Sequence, residues 1–235
     1  MPTPQTSLRP IRSYVLRQGR LTRGQQRAFE QFWPRFGVAA ASAPLDLTTL
    51  FGNTRPVWLE IGCGNGTALA ESAGRYPERN FLGIEVHTPG VGHLLQRLAA
   101  QNSTNARILQ QDALEVLRHR LMDQSLAGIC VFFPDPWPKK RHHKRRLVQS
   151  GFTQLAAQKL QPNGILHLAT DWEPYAQQML TVLSAEPRLR NTATDGGYVP
   201  RPPERPLTRF EQRGQTLGHP VHDLIFQCLT AQVTS

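Results

Sequence analysis

Short apolar runs alternate with amphipathic stretches along the chain from about residue 55 onward. Five runs of strand length predict buried β-strands: Val57–Ile61, Phe81–Val86, Arg107–Gln111, Gly128–Phe133 and Ile165–Ala169. Helical spacing of apolar residues falls between and after them, at about 67–76, 90–101, 113–121, 147–160 and 173–186. Because strands that alternate with helices are typical of βαβ units, the pattern predicts an α/β fold, a mostly parallel sheet with helices on both faces.

The pattern changes after Pro187. The proline-rich stretch 200–206 predicts a long loop; an SH3-type ligand is an alternative, but a stiff connector is the commoner use of such a segment. Two strand candidates follow at about 209–217 and 221–229, and residues 218–220 between them predict a hairpin turn.

The N-terminal part of the chain differs from the rest. Residues 1–10 are rich in proline and threonine and are expected to be disordered, Thr22–Phe36 is a predicted helix, and 37–55 is a predicted loop-rich bridge. We therefore divide the chain into a basic extension, residues 1–40, and one α/β domain, residues 41–235.

Positive charge is concentrated in two segments. The chain has 27 Lys and Arg against 17 Asp and Glu, a formal net charge of +10. Residues 1–40 hold seven arginines and one acid, and residues 139–146 hold six cations and no acid. A single basic run is often a solvated surface or a nuclear-localisation signal, but two local patches favour contacts with the phosphates of a nucleic acid.

Composition excludes several classes of protein. The hydrophobic fraction of 39% and the absence of an apolar run near 20 residues argue against a membrane bundle. Three cysteines and no signal-peptide pattern predict a cytoplasmic protein without disulfides. The eight histidines show no zinc-ligand spacing with the cysteines, so no metal is expected.

A glycine-rich turn follows the first predicted strand. The segment Glu60-Ile-Gly-Cys-Gly-Asn-Gly places glycines at 62, 64 and 66, where they allow a tight turn and a close approach of the backbone to a ligand. In a nicotinamide-binding fingerprint the third small residue falls one position later, at Thr67, so the spacing disfavours a dehydrogenase.

An acidic residue ends or follows each predicted parallel strand. These acids are Glu60, Glu85, Asp112, Asp135 and Asp171. The carboxyl edge of an open α/β sheet is where ligands bind, and there Glu85 suits a ribose diol and Asp112 an adenine amine. A single such acid is often only a helix cap, but five acids at the same ends of five successive strands favour a ligand site.

The fourth acid lies in the segment Pro134-Asp135-Pro136-Trp137-Pro138, directly before the basic run 139–146. The two prolines restrict the backbone around Asp135, and Trp137 offers a face for base stacking, although a core tryptophan in a turn is the alternative. An acid, an aromatic ring and a cluster of cations at one sheet edge favour a nucleotide or nucleic-acid substrate.

This pattern resembles the class I S-adenosylmethionine-dependent methyltransferases over about residues 55–230. That fold has a seven-stranded Rossmann-like sheet with a C-terminal antiparallel hairpin. More closely, the chain is similar to the bacterial tRNA (guanine-N7-)-methyltransferase family, which methylates the variable-loop guanine at tRNA position 46. The matching segments are 12–22, 60–66, Gly83–His87, Pro134–Lys140, Thr170-Asp171 and Thr208–Glu211.

The resemblance implies roles for individual residues. The implied S-adenosyl-L-methionine site comprises Glu60, Gly62, Gly64, Gly66, Glu85, Asp112 and Asp135. The implied guanosine site comprises Lys139, Asp171, Thr208, Arg209, Phe210 and Glu211. The implied RNA contacts are Arg141, His142, His143, Lys144, Arg145 and Arg146. The expected partner is tRNA, with no membrane and no obligatory protein partner, and a monomer is favoured over a homodimer.

The chemistry of guanine N7 limits what the site must do. N7 has a free lone pair and no proton, so the methyl group can move by direct displacement and no general base is required. Asp135, the expected catalytic residue, is then an orienting and electrostatic group. Glu211 or Asp171 could accept the N1–H and N2–H₂ of guanine. The rival functions are a nicotinamide oxidoreductase, an RNA-binding module without catalysis, and a methyltransferase of another base or of DNA.

Overall fold

The computed structural model describes residues 12–14, 19–41, 43–207, 211 and 220–230. The strands are β1 Gly37–Val38, β2 Val57–Ile61, β3 Asn80–Ile84, β4 Ala106–Leu109, β5 Leu126–Phe132, β6 Leu160–Thr170, β7 Leu189–Asn191 and β8 His222–Cys228. The helices are α1 Arg23–Phe36, α2 Leu47–Phe51, α3 Thr67–Arg75, α4 Thr88–Ala100, α5 Ala113–His119, α6 Ser150–Lys159 and α7 Glu173–Ser184, with a 3₁₀ helix at Lys140–Arg145. The disorder expected for 1–10 lies outside the described residues.

These strands form one sheet in the order β1-β4-β3-β2-β5-β6-β8-β7. Strand β8 is antiparallel to both neighbours, and the other pairs are parallel. The predicted α/β class, with a mostly parallel sheet and an antiparallel C-terminal pair, is confirmed. Seven strands were expected; the eighth among the described residues is β1, a two-residue strand at the sheet edge beside β4.

The last strand has a neighbour that the sequence did not predict. Strand β8 falls within the predicted 221–229, and its neighbours in the sheet are β6 and β7, Leu189–Asn191. Of the predicted partner 209–217 the structure describes only Glu211, which is helical, and residues 218 and 219 of the predicted turn also lie outside the described residues. Strand β7 has only three residues, which is too short to show a period-2 pattern in the sequence.

Strand β2 shows how the sheet divides its side chains. Val57, Leu59 and Ile61 are buried in the core on one face. Since successive side chains of a strand point to opposite faces, Trp58 and Glu60 project to the other face, where Trp58 packs against the core beneath α3 and α4. The face on which Glu60 lies is therefore set by its register in β2.

Helix α1 belongs to the folded domain. Thr22 and Gln25 form a reciprocal capping box at its start, and Ala28 and Phe36 are buried against α4 and the sheet. Helix α1, which lies within the predicted extension 1–40, therefore packs against the α/β domain; the boundary at residue 40 stays a prediction. Within the described residues, no helix combines the length and the apolar character needed to cross a bilayer.

Candidate active site

The glycine-rich turn after β2 has the tight geometry expected from its sequence. Gly62, Gly64 and Gly66 have φ angles of 73°, 54° and 72°, in the left-handed region that favours glycine. A Cβ atom at Gly66 would lie 2.3 Å from Cδ1 of Leu94 on α4, so a larger residue cannot occupy this position without moving the helix. The turn thus brings bare backbone to the carboxyl edge of the sheet.

Glu85 ties this turn to the end of β3. Its Oε2 accepts a hydrogen bond from the Gly64 N–H at 2.7 Å, and its Oε1 accepts from the Val86 and His87 N–H groups, both at 2.8 Å. The side chain is buried, with 8% exposure. A carboxylate offers about four acceptor positions, so three are used and about one remains for a ligand hydroxyl. Glu85 can therefore accept a hydrogen bond from one ribose hydroxyl, and not from both hydroxyls of the diol as the sequence predicts.

Asp112 caps helix α5, which is the alternative role given above for an acid at the end of a strand. Its Oδ1 accepts hydrogen bonds from the Leu114 and Glu115 N–H groups at 2.9 and 3.2 Å. The hydroxyl of Tyr14 lies beside the same carboxylate, and burial together with the Asp112 charge raises the pKa of Tyr14. Asp112 therefore fixes the wall of the site, and a contact with adenine stays a prediction.

A cavity of about 330 Å³ opens between these elements at the carboxyl ends of β2, β3 and β5. This volume is within the usual range of small-molecule sites, and the place matches the general rule for open α/β sheets. Its lining includes Tyr14, Gly62, Glu85, Gln111 and Asp135.

The Asp135 loop leaves β5 through strained backbone. Phe133 and Trp137 have φ angles of 52° and 43°, which are uncommon for residues other than glycine. The Phe133 N–H donates to the Ala169 carbonyl oxygen at 2.7 Å, and the Trp137 Nε1–H donates to the Ser13 carbonyl oxygen at 3.1 Å. These bonds hold both ends of the loop.

The Asp135 carboxylate lies at the mouth of the cavity. Asp135 is exposed and no described residue donates a hydrogen bond to it, although the protein atoms around the carboxylate partly desolvate it and raise its pKa. A carboxylate that protein groups partly desolvate and do not pair is suited to a cationic ligand.

Glu60 lies apart from the other acids. It faces a second cavity of about 320 Å³ on the opposite side of the sheet, together with Trp58, His167 and Arg205. Phe132 lines both cavities and separates them. Burial, with a smaller contribution from the charge of Glu85, raises the pKa of Glu60 to about 8. The structure therefore places Glu60 beside the first cavity and not in its wall.

The raised pKa of Glu60 predicts a stability effect with a definite sign. An acid whose folded pKa of about 8 exceeds its ordinary value of 4.5 destabilises the fold increasingly as pH rises between those values. Glu60→Gln should therefore melt higher than wild type at pH 8 by at least ~2–4 °C, the shift that ~1 kcal/mol produces in a domain of this size. The difference should shrink towards pH 5.

Calorimetric melting of the ligand-free protein across this pH range measures the effect. The matched control is Glu30→Gln, which removes an exposed glutamate on α1. A Glu60→Gln difference that does not change with pH would contradict the prediction.

The basic run forms the exposed 3₁₀ helix Lys140–Arg145. Lys139 precedes it and is exposed, as are Arg141 and Lys144. The Arg145 guanidinium lies 4.3 Å from the centre of the Trp137 ring, and its Nε donates to the Arg12 carbonyl oxygen at 3.3 Å. The N-terminal segment 12–14 is thereby held against the Asp135 loop, and one face of Trp137 is already covered. His142 and His143 are half-buried in the same helix.

Arg146 corrects the predicted set of RNA contacts. It is 3% exposed, its Nε donates to the Pro136 carbonyl oxygen at 2.8 Å, and its Nη1 donates to Gln178 Oε1 at 2.5 Å. The guanidinium also lies over the Tyr175 ring at 4.8 Å. A buried arginine with these partners stabilises the Asp135 loop, and its guanidinium is not accessible to RNA phosphates at the surface.

The residues predicted to bind guanosine differ in their burial and in their hydrogen-bond partners. Asp171 follows β6 beside the Asp135 loop and is half-buried, and no described residue donates a hydrogen bond to it. Thr208, Arg209 and Phe210 lie outside the described residues. Glu211 is 1% exposed, and its two oxygens accept hydrogen bonds from Arg205 at 2.6 and 2.7 Å. Glu211 is therefore held by protein.

Two features of the site were missed in the sequence. Tyr14 contributes to the wall of the first cavity, and its only signal was its position in the basic N-terminal segment. Arg205 lies in the proline-rich stretch interpreted as a connector, yet it is fully buried. A single arginine among prolines carries no periodic signal of burial.

The comparisons agree with this geometry. Residues 54–224 match a family model described as "Putative methyltransferase". The 16S rRNA methyltransferase KamB has a similar fold, with a TM-score of 0.60 and 15% identity over 83% of this chain and 99% of that chain. The antibiotic-resistance methyltransferase Kmr gives a TM-score of 0.55 and 14% identity over 84% and 99%. The fold is thus that of class I methyltransferases.

Curated relatives narrow the class. A protein of Nitrosomonas eutropha is 55% identical over 92% of this chain and 96% of its own length, and one of Alkalilimnicola ehrlichii is 56% identical over 94% of each. Both are named tRNA (guanine-N(7)-)-methyltransferase. The chain belongs to the tRNA (guanine-N(7)-)-methyltransferase family, as the sequence motifs predicted.

Proposed function

We propose that this protein transfers a methyl group from S-adenosyl-L-methionine to N7 of the variable-loop guanine at position 46 of tRNA. The observation that carries the proposal is the unpaired Asp135 carboxylate, which lies at the mouth of the Glu85 cavity and directly before the exposed basic 3₁₀ helix. A dehydrogenase function would not explain the cluster of cations at this edge of the sheet. An RNA-binding module without catalysis would not explain the cavity.

The residues of the first cavity fit the cofactor. The remaining acceptor position of Glu85 suits a ribose hydroxyl, and the backbone at Gly62 and Gly64 allows close approach of the ligand. Asp135 supplies a negative charge in the wall of this cavity that no described residue pairs, which complements a positively charged ligand. When bound, S-adenosyl-L-methionine supplies an electrophilic methyl group on its sulfonium.

The protein's task in the transfer is positioning and electrostatic stabilisation. Positive charge develops on the guanine ring as N7 acquires the methyl group, and the Asp135 carboxylate stabilises it in a partly desolvated site. We assign the reading of guanine N1–H and N2–H₂ to Asp171, since both oxygens of Glu211 already bind Arg205. No proton has to leave N7, so no residue acts as a general base.

The basic surface would hold the RNA. Arg141 and Lys144 are exposed on the 3₁₀ helix, and Arg23 and Arg27 are exposed on α1. Lysine and arginine contacts to phosphates supply most of the affinity of such complexes, and they offset the few kcal/mol needed to unstack a target base. The cytoplasmic location and the monomeric state stay predictions.

The test is methyl transfer from labelled S-adenosyl-L-methionine to an unmodified tRNA transcript, with the product mapped by borohydride reduction and aniline cleavage. We expect cleavage at the variable-loop guanine, and none in a transcript with adenine at that position. Label without cleavage would remove guanine N7 as the target. Binding of tRNA without any label would favour the RNA-binding module.

A further inference from the structure

Arg205 is at the centre of a buried network of charged side chains. Its side chain is 0% exposed and is among the largest fully buried side chains in the described part of the chain. Its Nη1 and Nη2 donate to the two oxygens of Glu211 at 2.6 and 2.7 Å. Its Nη2 also donates to Asp223 Oδ2 at 3.0 Å, and its Nε lies 2.7 Å from Asp223 Oδ1. His167 Nε2 lies 2.7 Å from the same Oδ1.

This network joins three separate parts of the site. Asp223 is on β8 and His167 on β6, so the guanidinium is fixed to the sheet. The same guanidinium lies 5.7 Å from the centre of the Phe133 ring, and Phe133 begins the loop that carries Asp135. Glu211 ends the segment Thr208–Glu211 that the family resemblance places at the guanosine. One side chain therefore links the sheet, the Asp135 loop and Glu211.

Stability alone does not account for this arrangement. Burial of charged groups carries a desolvation penalty that the ion pairs offset only with good geometry, and apolar replacements are often equally stable. The planar guanidinium has five N–H donors in a rigid fork, so it can bind Glu211 with two hydrogen bonds and reach Asp223 at once. Lysine keeps the charge but cannot reproduce this geometry.

We propose that Arg205 is a positioning residue that fixes Glu211 and the start of the Asp135 loop to the sheet; this rests on the proposed function. Because the Arg205 side chain is fully buried, we expect it to act through Glu211 and Phe133 and not by contact with the substrate. Its loss should affect the alignment of guanine N7 with the methyl group more than the binding of either substrate.

The test is Arg205→Lys, which retains a cation opposite Glu211 and Asp223. We expect kcat for tRNA methylation to fall about a hundredfold, as a misplacement of ~1 Å does, with little change in KM for tRNA or in affinity for S-adenosylhomocysteine. Hydrogen exchange of the peptide that contains Glu211 should become faster than in wild type, a readout that does not require activity.

The matched control is Lys159→Met. Lys159 is another buried cation, 5% exposed and paired with Asp123 at 2.6 Å, but it ends α6 on the opposite side of the sheet from the cavity. We expect it to lower the melting temperature and to leave kcat and the exchange of the Glu211 peptide unchanged.

The possible results separate this inference from the proposed function. A folded Arg205→Lys protein with wild-type kcat and exchange would overturn the inference, as would a fall in kcat only in proportion to lost S-adenosylhomocysteine binding. If wild type itself does not methylate tRNA, the proposed function fails, and the exchange experiment still decides whether Arg205 holds Glu211. A severalfold increase in that exchange rate, with Lys159→Met unchanged, supports the inference.

Discussion

Replacement of Asp135 by asparagine should lower kcat for tRNA methylation by about 10²–10³-fold, the usual cost of removing one group that stabilises transition-state charge. Asparagine preserves the shape of the side chain and removes its negative charge. Because the carboxylate acts on charge that develops only as the methyl group moves, affinity for S-adenosylhomocysteine and for tRNA should change little. Single-turnover rates with saturating tRNA, alongside calorimetric binding of S-adenosylhomocysteine, measure the two effects separately.

The dependence of the rate on pH tests the same role. The active form of Asp135 is the carboxylate, and partial desolvation raises the pKa of this group. The single-turnover rate should therefore fall as the pH decreases through the pKa of Asp135, and it should be constant at higher pH. The Asp135→Asn rate should lack this acidic limb. Since N7 carries no proton, the chemical step should show no solvent isotope effect.

Asp195→Asn is the matched control for both measurements. Asp195 is exposed in the turn after β7, and its Oδ1 accepts a hydrogen bond from the Gly197 N–H at 2.9 Å. The same change of atoms and charge there should leave rate and pH profile at wild-type values. A solvent isotope effect in wild type, or a wild-type rate in Asp135→Asn, would contradict the electrostatic role.

The main features of the sheet could be predicted because they depend on long apolar segments. All five residues of β3 are buried, as a central parallel strand covered on both faces requires, so its apolar run is visible in the sequence. Strands β1 and β7 have two and three residues, and no pattern can develop over that length. Their places are decided by backbone pairing with β4 and β8.

The acidic residues near the site could be predicted from the sequence, but the face of the sheet on which each side chain lies could not. Glu60 was predicted beside Glu85 because both end strands, yet the alternation along β2 turns Glu60 to the other face of the sheet. Arg146 carries the same charge as Arg145 in the sequence, but tertiary contacts bury Arg146 while Arg145 stays half-buried over the Trp137 ring. Arg205 could not be found, since its role depends on Asp223 and Glu211, and the fold brings these together.

Reversal of the two exposed charges at Arg141 and Lys144 should weaken tRNA binding strongly. Loss of two charge-assisted hydrogen bonds to phosphates, at ~1.5–3 kcal/mol each, lowers affinity by about a hundredfold or more at low salt. Each lost phosphate contact also makes the plot of log K against log salt less steep by ~0.7–0.9. The double variant Arg141→Glu with Lys144→Glu should therefore bind with a visibly shallower salt slope, while S-adenosylhomocysteine binding is unchanged.

The control must separate local contacts from net charge. Arg55 and Arg190 are exposed, Arg55 before the start of β2 at the opposite edge of the sheet from the cavity and Arg190 on the short strand β7. Reversal of both changes the net charge by the same amount, so a general electrostatic attraction would weaken equally in the two double variants. If the 3₁₀ helix contacts phosphates directly, only the first pair makes the slope shallower. Equal slopes for both pairs, measured by filter binding over a range of salt concentrations, would reject this helix as the RNA contact.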